Sequence, residues 1–177
     1  MPNGNIFDST LRTMAELFAP YLAGSFGGLA IAVGTTWPNE TVRNALESSL
    51  AALGYGNDCL AYVSLTGSNG NGKEPVGGSA QNDEGANNTA DQGEPMPLDA
   101  HALFTLAEGL DPRCIIALDS QASRTLAEAF HVKHILNAHA RFSGRDVVAF
   151  SDFASLMNSP EDKQRAWRLL KKLPKLN

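Results

Sequence analysis

The sequence predicts an α/β fold, a three-layer α/β/α domain built on a four-stranded, mostly parallel sheet. Short apolar runs alternate with amphipathic helical segments along the chain of 177 residues. Such alternation is typical of a parallel sheet covered by helices on both faces. Hydrophobic residues make up 43% of the chain, enough to build one substantial core. We therefore expect a single domain over residues 1–177.

The first half of the chain predicts an opening helix, two strands and the helix between them. Residues 8–18 have the spacing of an amphipathic helix. Residues 28–33 and 59–65 are apolar runs that favour buried strands. Between these runs, Asn39 can cap a helix that Gly54 ends.

The second half repeats the pattern. Residues 113–118 and 146–150 predict the third and fourth strands. Three further helices are expected where Asp99, Ser120 and Ser159 can act as N-caps. The last of these starts is the strongest, because the serine is followed by a proline and then by two acids.

Any functional site is expected at one edge of this sheet. Ligands of parallel α/β sheets bind beyond the carboxyl ends of the strands. The loops that follow the four predicted strands are residues 34–38, 64–67, 119–121 and 151–155. The last of these loops leads directly into the strongly capped helix, which would hold that loop in place.

Residues 68–96 break the pattern. They are rich in Gly, Asn, Asp, Glu and Ser and contain almost no large apolar side chains. This composition predicts a flexible, low-complexity insertion. Lys73 has the spacing of a phosphate-binding loop, but Glu74 and Pro75 follow it where a Ser or Thr and a helix are required. We therefore expect no nucleotide site and no bound cofactor.

Charge is distributed unevenly. From residue 132 onward, nine Lys and Arg residues stand against four acids, a net charge of +5, so the preceding residues carry −10. A basic segment on an acidic body indicates either an acidic partner, such as nucleic acid or a protein surface, or a solvated last helix. The candidate contact residues are Arg141, Arg145, Lys163, Arg168, Lys171 and Lys172.

Cysteine usage and hydropathy indicate the compartment. Cys59 and Cys114 lie in apolar runs, which predicts buried thiols rather than a disulfide or metal ligands. Two cysteines cannot hold a four-cysteine iron–sulfur cluster. The uncharged stretch over residues 17–39 is broken by proline and glycines, so we expect no membrane span and a cytoplasmic protein.

Two polar clusters each leave two interpretations open. His131, His134 and His139 lack the partners and spacing of a zinc site, so we expect no metal there. The two interpretations of these histidines are contact with a phosphate backbone and simple solvation.

Asp119 and Asp152 lie in different site loops. They could form a carboxylate pair with separated pKa values or a magnesium site. Alternatively, they are solvated loop acids, one of which caps a helix.

Three segments, in this order along the chain, carry a resemblance to a known family. They are "NALESSLAALGYGNDCLAYVSL" (44–65), "LDPRCIIALDSQASRTLAEAF" (110–130) and "DFASLMNSPEDKQRAWRLLKKL" (152–173). Together they resemble the helix, strand and closing motifs of bacterial uracil-DNA glycosylases of the iron–sulfur type. The resemblance implies the fold of that superfamily. Its active members flip uracil out of DNA and hydrolyse the glycosidic bond, which requires a group that positions water, an amide that reads the base and a donor to the uracil oxygen.

Each catalytic position departs from the family pattern. The first motif, Gly-Glu-Ala-Pro-Gly in the family, is here "GTTWP" (34–38), so Thr35 stands where the glutamate would be. Ser64 replaces the base-reading Asn, and Asp152 replaces the His of the closing motif. Asp119 stands where the family has a glycine, and the cluster cysteines are absent. The candidates for a vestigial pocket are Gly34, Thr35, Thr36, Trp37, Ser64, Asp119 and Asp152.

The resemblance therefore predicts a catalytically degenerate protein. Psi subunits of bacterial clamp loaders resemble the same fold without its chemistry and act as protein adaptors. By this likeness, we expect a DNA-associated or protein-binding adaptor, with DNA or a DNA-replication or repair protein as partner. The alternative is an active glycosylase that works through non-standard residues, with Trp37 stacking on a flipped base and Thr35 or Glu40 placing water.

Overall fold

The computed structural model describes residues 6–26, 28–67 and 95–176. Its helices are α1 (Ile6–Leu17), α2 (Glu40–Ala52), α3 (Ala100–Leu110), α4 (Ser120–Ala129) and α5 (Pro160–Leu170). Its strands are β1 (Leu22–Gly24), β2 (Ala30–Gly34), β3 (Leu60–Ser64), β4 (Cys114–Ala117), β5 (Ala138–Phe142) and β6 (Arg145–Ala149). These elements confirm the predicted α/β class. All but residues 95 and 96 of the predicted insertion lie outside the described ranges.

The strands form one mixed sheet of six strands in the order β1-β3-β2-β4-β6-β5. The four predicted strands are its centre, and each pairs in parallel with its neighbours there. The outer strands β1 and β5 are antiparallel to β3 and β6. The prediction of a four-stranded, mostly parallel sheet is therefore wrong, because both edge strands were missed.

The two edge strands carry weak sequence signals. β1 has only three residues, and its pairing with β3 uses backbone groups that any sequence supplies. β5 does alternate apolar and polar residues, but Phe142 is its one large apolar side chain, and none of its five residues is fully buried. Its pairing is set by a two-residue hairpin turn, in which Ser143 and Gly144 have φ of 50° and 78°. Positive φ at both positions matches the twist of the strands that flank a tight hairpin.

The core has two parts, one on each face of the sheet. Alternate residues of the central strands point to opposite faces, as in β2, where Ile31 and Val33 join one cluster and Ala30 and Ala32 the other. Helices α1, α3 and α4 cover the first face. Helices α2 and α5 cover the second face. This arrangement leaves the carboxyl ends of the parallel strands between the two helical layers.

Three of the predicted helix caps are confirmed. The side chains of Asn39, Asp99 and Ser159 accept hydrogen bonds from the backbone N–H three residues later. The prediction of Ser120 as a cap is wrong, because Asp119 caps α4 and Ser120 is the first helical residue. A carboxylate at this position also interacts favourably with the positive end of the helix dipole.

None of the helices within the described ranges has the length and apolar character needed to cross a membrane. The uncharged stretch from residue 17 to residue 39 is divided instead among the end of α1, strands β1 and β2, and the loops that connect them. Strand β2 accounts for the most apolar part of this stretch, and all five of its residues are buried.

Cys59 and Cys114 are free, buried thiols, as the sequence predicts. Burial raises the pKa of the Cys114 thiol from its ordinary value of 9.0 to about 12. The unfolded chain releases this proton near the ordinary pKa, whereas the folded chain retains it. The free energy of unfolding should therefore fall as the pH rises above 9.0. Urea melts at several pH values measure this slope.

Cys114→Ser is the matched variant for this prediction, because a hydroxyl of similar size does not titrate in the same range. The variant should lose stability less steeply with pH than the parent protein. Burial also raises the pKa values of Cys59, Tyr55 and Tyr62, so a part of the slope should remain. Equal slopes in parent and variant would show that Cys114 does not contribute.

Candidate functional site

The loops predicted to form a site do come together at the carboxyl edge of the sheet. The N–H of Thr66, after β3, donates to the carbonyl of Thr35, after β2, at 3.1 Å. On the other side, the N–H of Ser120 donates to the carbonyl of Ser151 at 3.1 Å. Asp119 and Asp152 form an isolated antiparallel bridge between their loops. Backbone hydrogen bonds thus hold these loops together in pairs.

Asp119 is the centre of this junction. One carboxylate oxygen accepts from the backbone N–H of Thr35 at 2.7 Å. The other accepts from the Thr35 hydroxyl at 2.6 Å and from the N–H of Ala122 at 2.9 Å. We call this set of hydrogen bonds the Asp119 clasp. It joins the loop after β2 to the start of α4, and it directs both carboxylate oxygens to groups of the protein itself.

Ser64 faces the same junction from β3. It is completely buried. Its hydroxyl lies 3.4 Å from the carbonyl of Thr35 and 3.3 Å from the hydroxyl of Thr66. The Ser64 side chain therefore contacts the loops that follow β2 and β3.

Asp152 lies on the outside of the junction. Its side chain is exposed and accepts from the N–H of Ser155 at 3.1 Å, which begins a short 3₁₀ turn over Ser155–Met157. Asp119 and Asp152 thus bind different donors, although their backbones are paired. This arrangement favours the second sequence interpretation, two structural loop acids of which one caps a helix.

The remaining pocket candidates follow β2. Gly34 is buried at the end of the strand, and a side chain there would meet the carbonyl of Thr36. Thr36 is exposed. Trp37 is half-buried and packs against the core on the face covered by α2 and α5. The indole therefore contributes to packing on this face of the sheet.

Arg145 does not belong to the predicted basic surface. Its side chain is buried at the start of β6. The guanidinium pairs with Glu108 and, at 2.9 Å, with Asp111, at the end of α3. Arg145 thus joins the hairpin of β5 and β6 to α3. The exposed Arg141, on β5, keeps its side chain toward solvent.

The histidine cluster is likewise divided. His139, on β5, lies with Nε2 2.9 Å from the carboxylate of Asp146 on the adjacent strand β6. His131 is exposed in the left-handed region, at φ of 52°, directly after α4. Within the described ranges no group of three His, Cys, Asp or Glu side chains is placed to hold a metal ion.

The basic residues of α5 and of the turn that follows it lie on two separate surfaces. Lys163 and Trp167 line a groove between α2 and α5, and Lys171 places its ammonium 5.3 Å from the centre of the Trp167 ring. A second opening, which we call the α5 cleft, has a volume of about 400 Å³. Its lining residues are Asn137, Phe150, Ser151, Leu156, Arg165, Arg168, Leu169 and Lys172.

Sequence reasoning missed both the Asp119 clasp and the α5 cleft as units. The clasp joins residues 84 positions apart, and no local pattern marks such a contact. The cleft did leave a signal. Arg165, Arg168 and Lys172 have the three- and four-residue spacing that places side chains on one face of a helix. A net charge counted over the whole segment does not show that these residues face a different opening from Lys163.

Comparison with known proteins finds no matching family model and no matching curated protein. The function proposed below therefore depends on the residues and on their geometry.

Proposed function

We propose that this chain is a catalytically inactive relative of the uracil-DNA glycosylases and acts as an adaptor for DNA or for a DNA-replication or repair protein. The observation that carries the proposal is the Asp119 clasp. The edge of the sheet where an enzyme of this architecture holds its substrate is here occupied by structural hydrogen bonds.

The placement of the three similar segments supports the relationship. Residues 44–65 run through α2 into β3, residues 110–130 run through β4 into α4, and residues 152–173 run from the loop after β6 through α5. Each segment contributes one loop to the same edge of the sheet. That shared edge is what a common ancestor with a catalytic site would leave behind.

The chemistry of the site supports the loss of activity. Uracil excision requires a group that places water, and the Thr35 hydroxyl donates to Asp119 instead. Reading uracil requires an amide, and the buried Ser64 offers only a hydroxyl turned toward its own loop. Stabilising the uracil anion requires a donor, whereas an ionised Asp152 would repel it.

A glycosylase assay tests the inactive state. Excess protein is incubated with single-stranded and double-stranded DNA that contains uracil, and base release is measured after alkaline cleavage of abasic sites. We expect no release above that of a buffer control. Circular dichroism of the same sample verifies that the protein is folded.

Two substitutions sharpen the assay. Release of uracil that disappears in Asp152→Asn or in Thr35→Val would show that the pocket works through non-standard residues. That outcome would overturn the proposal and establish the active alternative. Arg124→Gln, at an exposed residue of α4 on the opposite face, is purified in the same way as a control. If this variant keeps the release that the site variants lose, a contaminating enzyme is not the source.

A further inference from the structure

The α5 cleft combines an accessible position, a volume suited to a ligand and a cationic lining. It opens beside the end of β6, between the loop that follows this strand and the outer face of α5. Its volume of about 400 Å³ is that of a site for a small ligand or a few side chains. Three cations line it, and no acidic residue does.

The cations are available for a partner. Arg168 and Lys172 are exposed, and within the described ranges neither has a carboxylate within 4.0 Å. Arg165 is paired with Asp162 at 3.2 Å but remains 71% exposed, a pair of the kind that contributes little to stability. The spacing of the three residues places them along one side of the cleft.

The floor of the cleft is apolar. Leu156 and Leu169 are partly buried and pack against the core between α5 and the sheet. Phe150 lies beneath them and is only 1% exposed, so its ring edge contributes little surface. The floor thus presents aliphatic surface without an aromatic face.

The polar groups on the rim opposite α5 already form hydrogen bonds with each other. The side-chain amide of Asn137 donates to the Ser151 hydroxyl at 3.1 Å, and its oxygen accepts from the Ser151 N–H at 3.1 Å. These contacts fix the rim and leave recognition to the cations and to the apolar floor. Asp152, the acid next to Ser151 in the sequence, accepts a hydrogen bond from the N–H of Ser155.

We propose that the α5 cleft binds an acidic peptide segment of a partner protein, with carboxylates at Arg165, Arg168 and Lys172 and one bulky apolar side chain on the floor. This inference rests on the proposed adaptor function and names the class of partner. Guanidinium groups pair with carboxylates through two parallel hydrogen bonds. Burial of one large apolar side chain supplies an anchor that ion pairs on a surface lack.

The cleft favours a peptide over nucleic acid for two reasons. Proteins that bind single strands stack the bases on exposed aromatic rings, and the only ring that lines this cleft is buried. Duplex binding is driven by extended phosphate contacts from a basic surface. The cations of α5 and of the turn after it are instead divided between two openings, on a chain with a net charge of −5.

Fluorescence anisotropy with three labelled probes tests this assignment on the full chain. The first probe is a short peptide that places several Asp residues beside one Phe. The second has Ser in place of the Phe, and the third is a single-stranded oligonucleotide of the same net charge. We expect the first probe to bind at least about tenfold more tightly than the other two, a difference within the range of one buried anchor.

Two variants locate the binding site. The double variant Arg168→Glu and Lys172→Glu should weaken binding of the first probe by at least about tenfold, because two attractive charge pairs become repulsive. Arg124→Glu makes a similar change on the opposite helical layer and should leave the affinity within about twofold. Leu156→Ser should weaken the first probe and leave the second unchanged. Circular dichroism verifies the fold of each variant.

Each outcome decides between the two proposals. Selective binding of the Phe probe that depends on Arg168 and Lys172 supports the inference. Tighter binding of the oligonucleotide with the same dependence overturns the peptide assignment and leaves the adaptor function in place. Failure of all three probes to bind at millimolar concentration overturns the assignment to this cleft. Uracil release in the glycosylase assay overturns the adaptor function itself.

Discussion

Replacing Asp119 by Ala should lower the free energy of unfolding by about 2 to 5 kcal/mol. The substitution removes the N-cap of α4, a loss of about 1 to 2 kcal/mol. It also leaves the half-buried N–H and hydroxyl of Thr35 without their acceptor, which adds a further loss of about 1 to 3 kcal/mol. Urea melts followed by circular dichroism measure the change.

Two matched substitutions separate these contributions. Asp119→Asn retains a capping oxygen but turns an amide N–H toward one of the Thr35 donors, so its loss should be intermediate. Asp152→Ala removes an exposed acid that contacts only the turn at Ser155, and its loss should stay below about 1 kcal/mol.

This result bears on function as well as on stability. Catalytic carboxylates are held in surroundings that do not suit the folded state, and their removal often stabilises an enzyme. A stabilising or neutral effect of Asp119→Ala would therefore contradict the structural role of the clasp. It would direct attention back to Asp119 as a reactive group.

Replacing Leu170 by Ala should cost about 3 to 5 kcal/mol, the largest loss that we expect from a single truncation in α5. Leu170 is 1% exposed and lies in the core between α5 and the sheet. Removing its side chain leaves a cavity that the surrounding strands cannot close. Chemical denaturation of the two proteins side by side measures the difference.

Trp167→Ala is the informative comparison, because Trp167 lies on the same helix and packs against the same core as Leu170. The structure places it at the margin of the same core, half-buried, beneath the Lys171 ammonium at 5.3 Å. Its truncation should cost about 1 to 2 kcal/mol, less than that of Leu170. A loss equal to that of Leu170 would show that the indole is buried more deeply than this placement allows.

Local patterns were sufficient for the elements whose signals are contained within one segment. The four central strands are continuous apolar runs, because both faces of each are covered by helices. Ser159 and Pro160 begin α5 as predicted, since the capping hydroxyl and the backbone N–H that donates to it lie three residues apart in the chain. Asp119 and Ser120 are both good capping residues, and their sequence alone does not decide which one caps.

Contacts between distant segments account for the rest. The partners of Arg145 lie at the end of α3, and only the packing of the β5–β6 hairpin against that helix brings them together. The uneven charge of the chain predicted basic residues near its end but not their division between two openings. That division depends on which side of α5 faces the sheet.

The sequence by itself determined the α/β class, the order of the central strands and helices along the chain, and the loops that meet at one edge of the sheet. The tertiary structure decided the two antiparallel edge strands, the use of Asp119 as a structural clasp, and the cleft beside α5. The physical reason is the separation along the chain of the residues that interact. Apolar periodicity and helix caps act over a few residues, whereas strand pairing at an edge and the partner of a carboxylate are chosen across the whole fold.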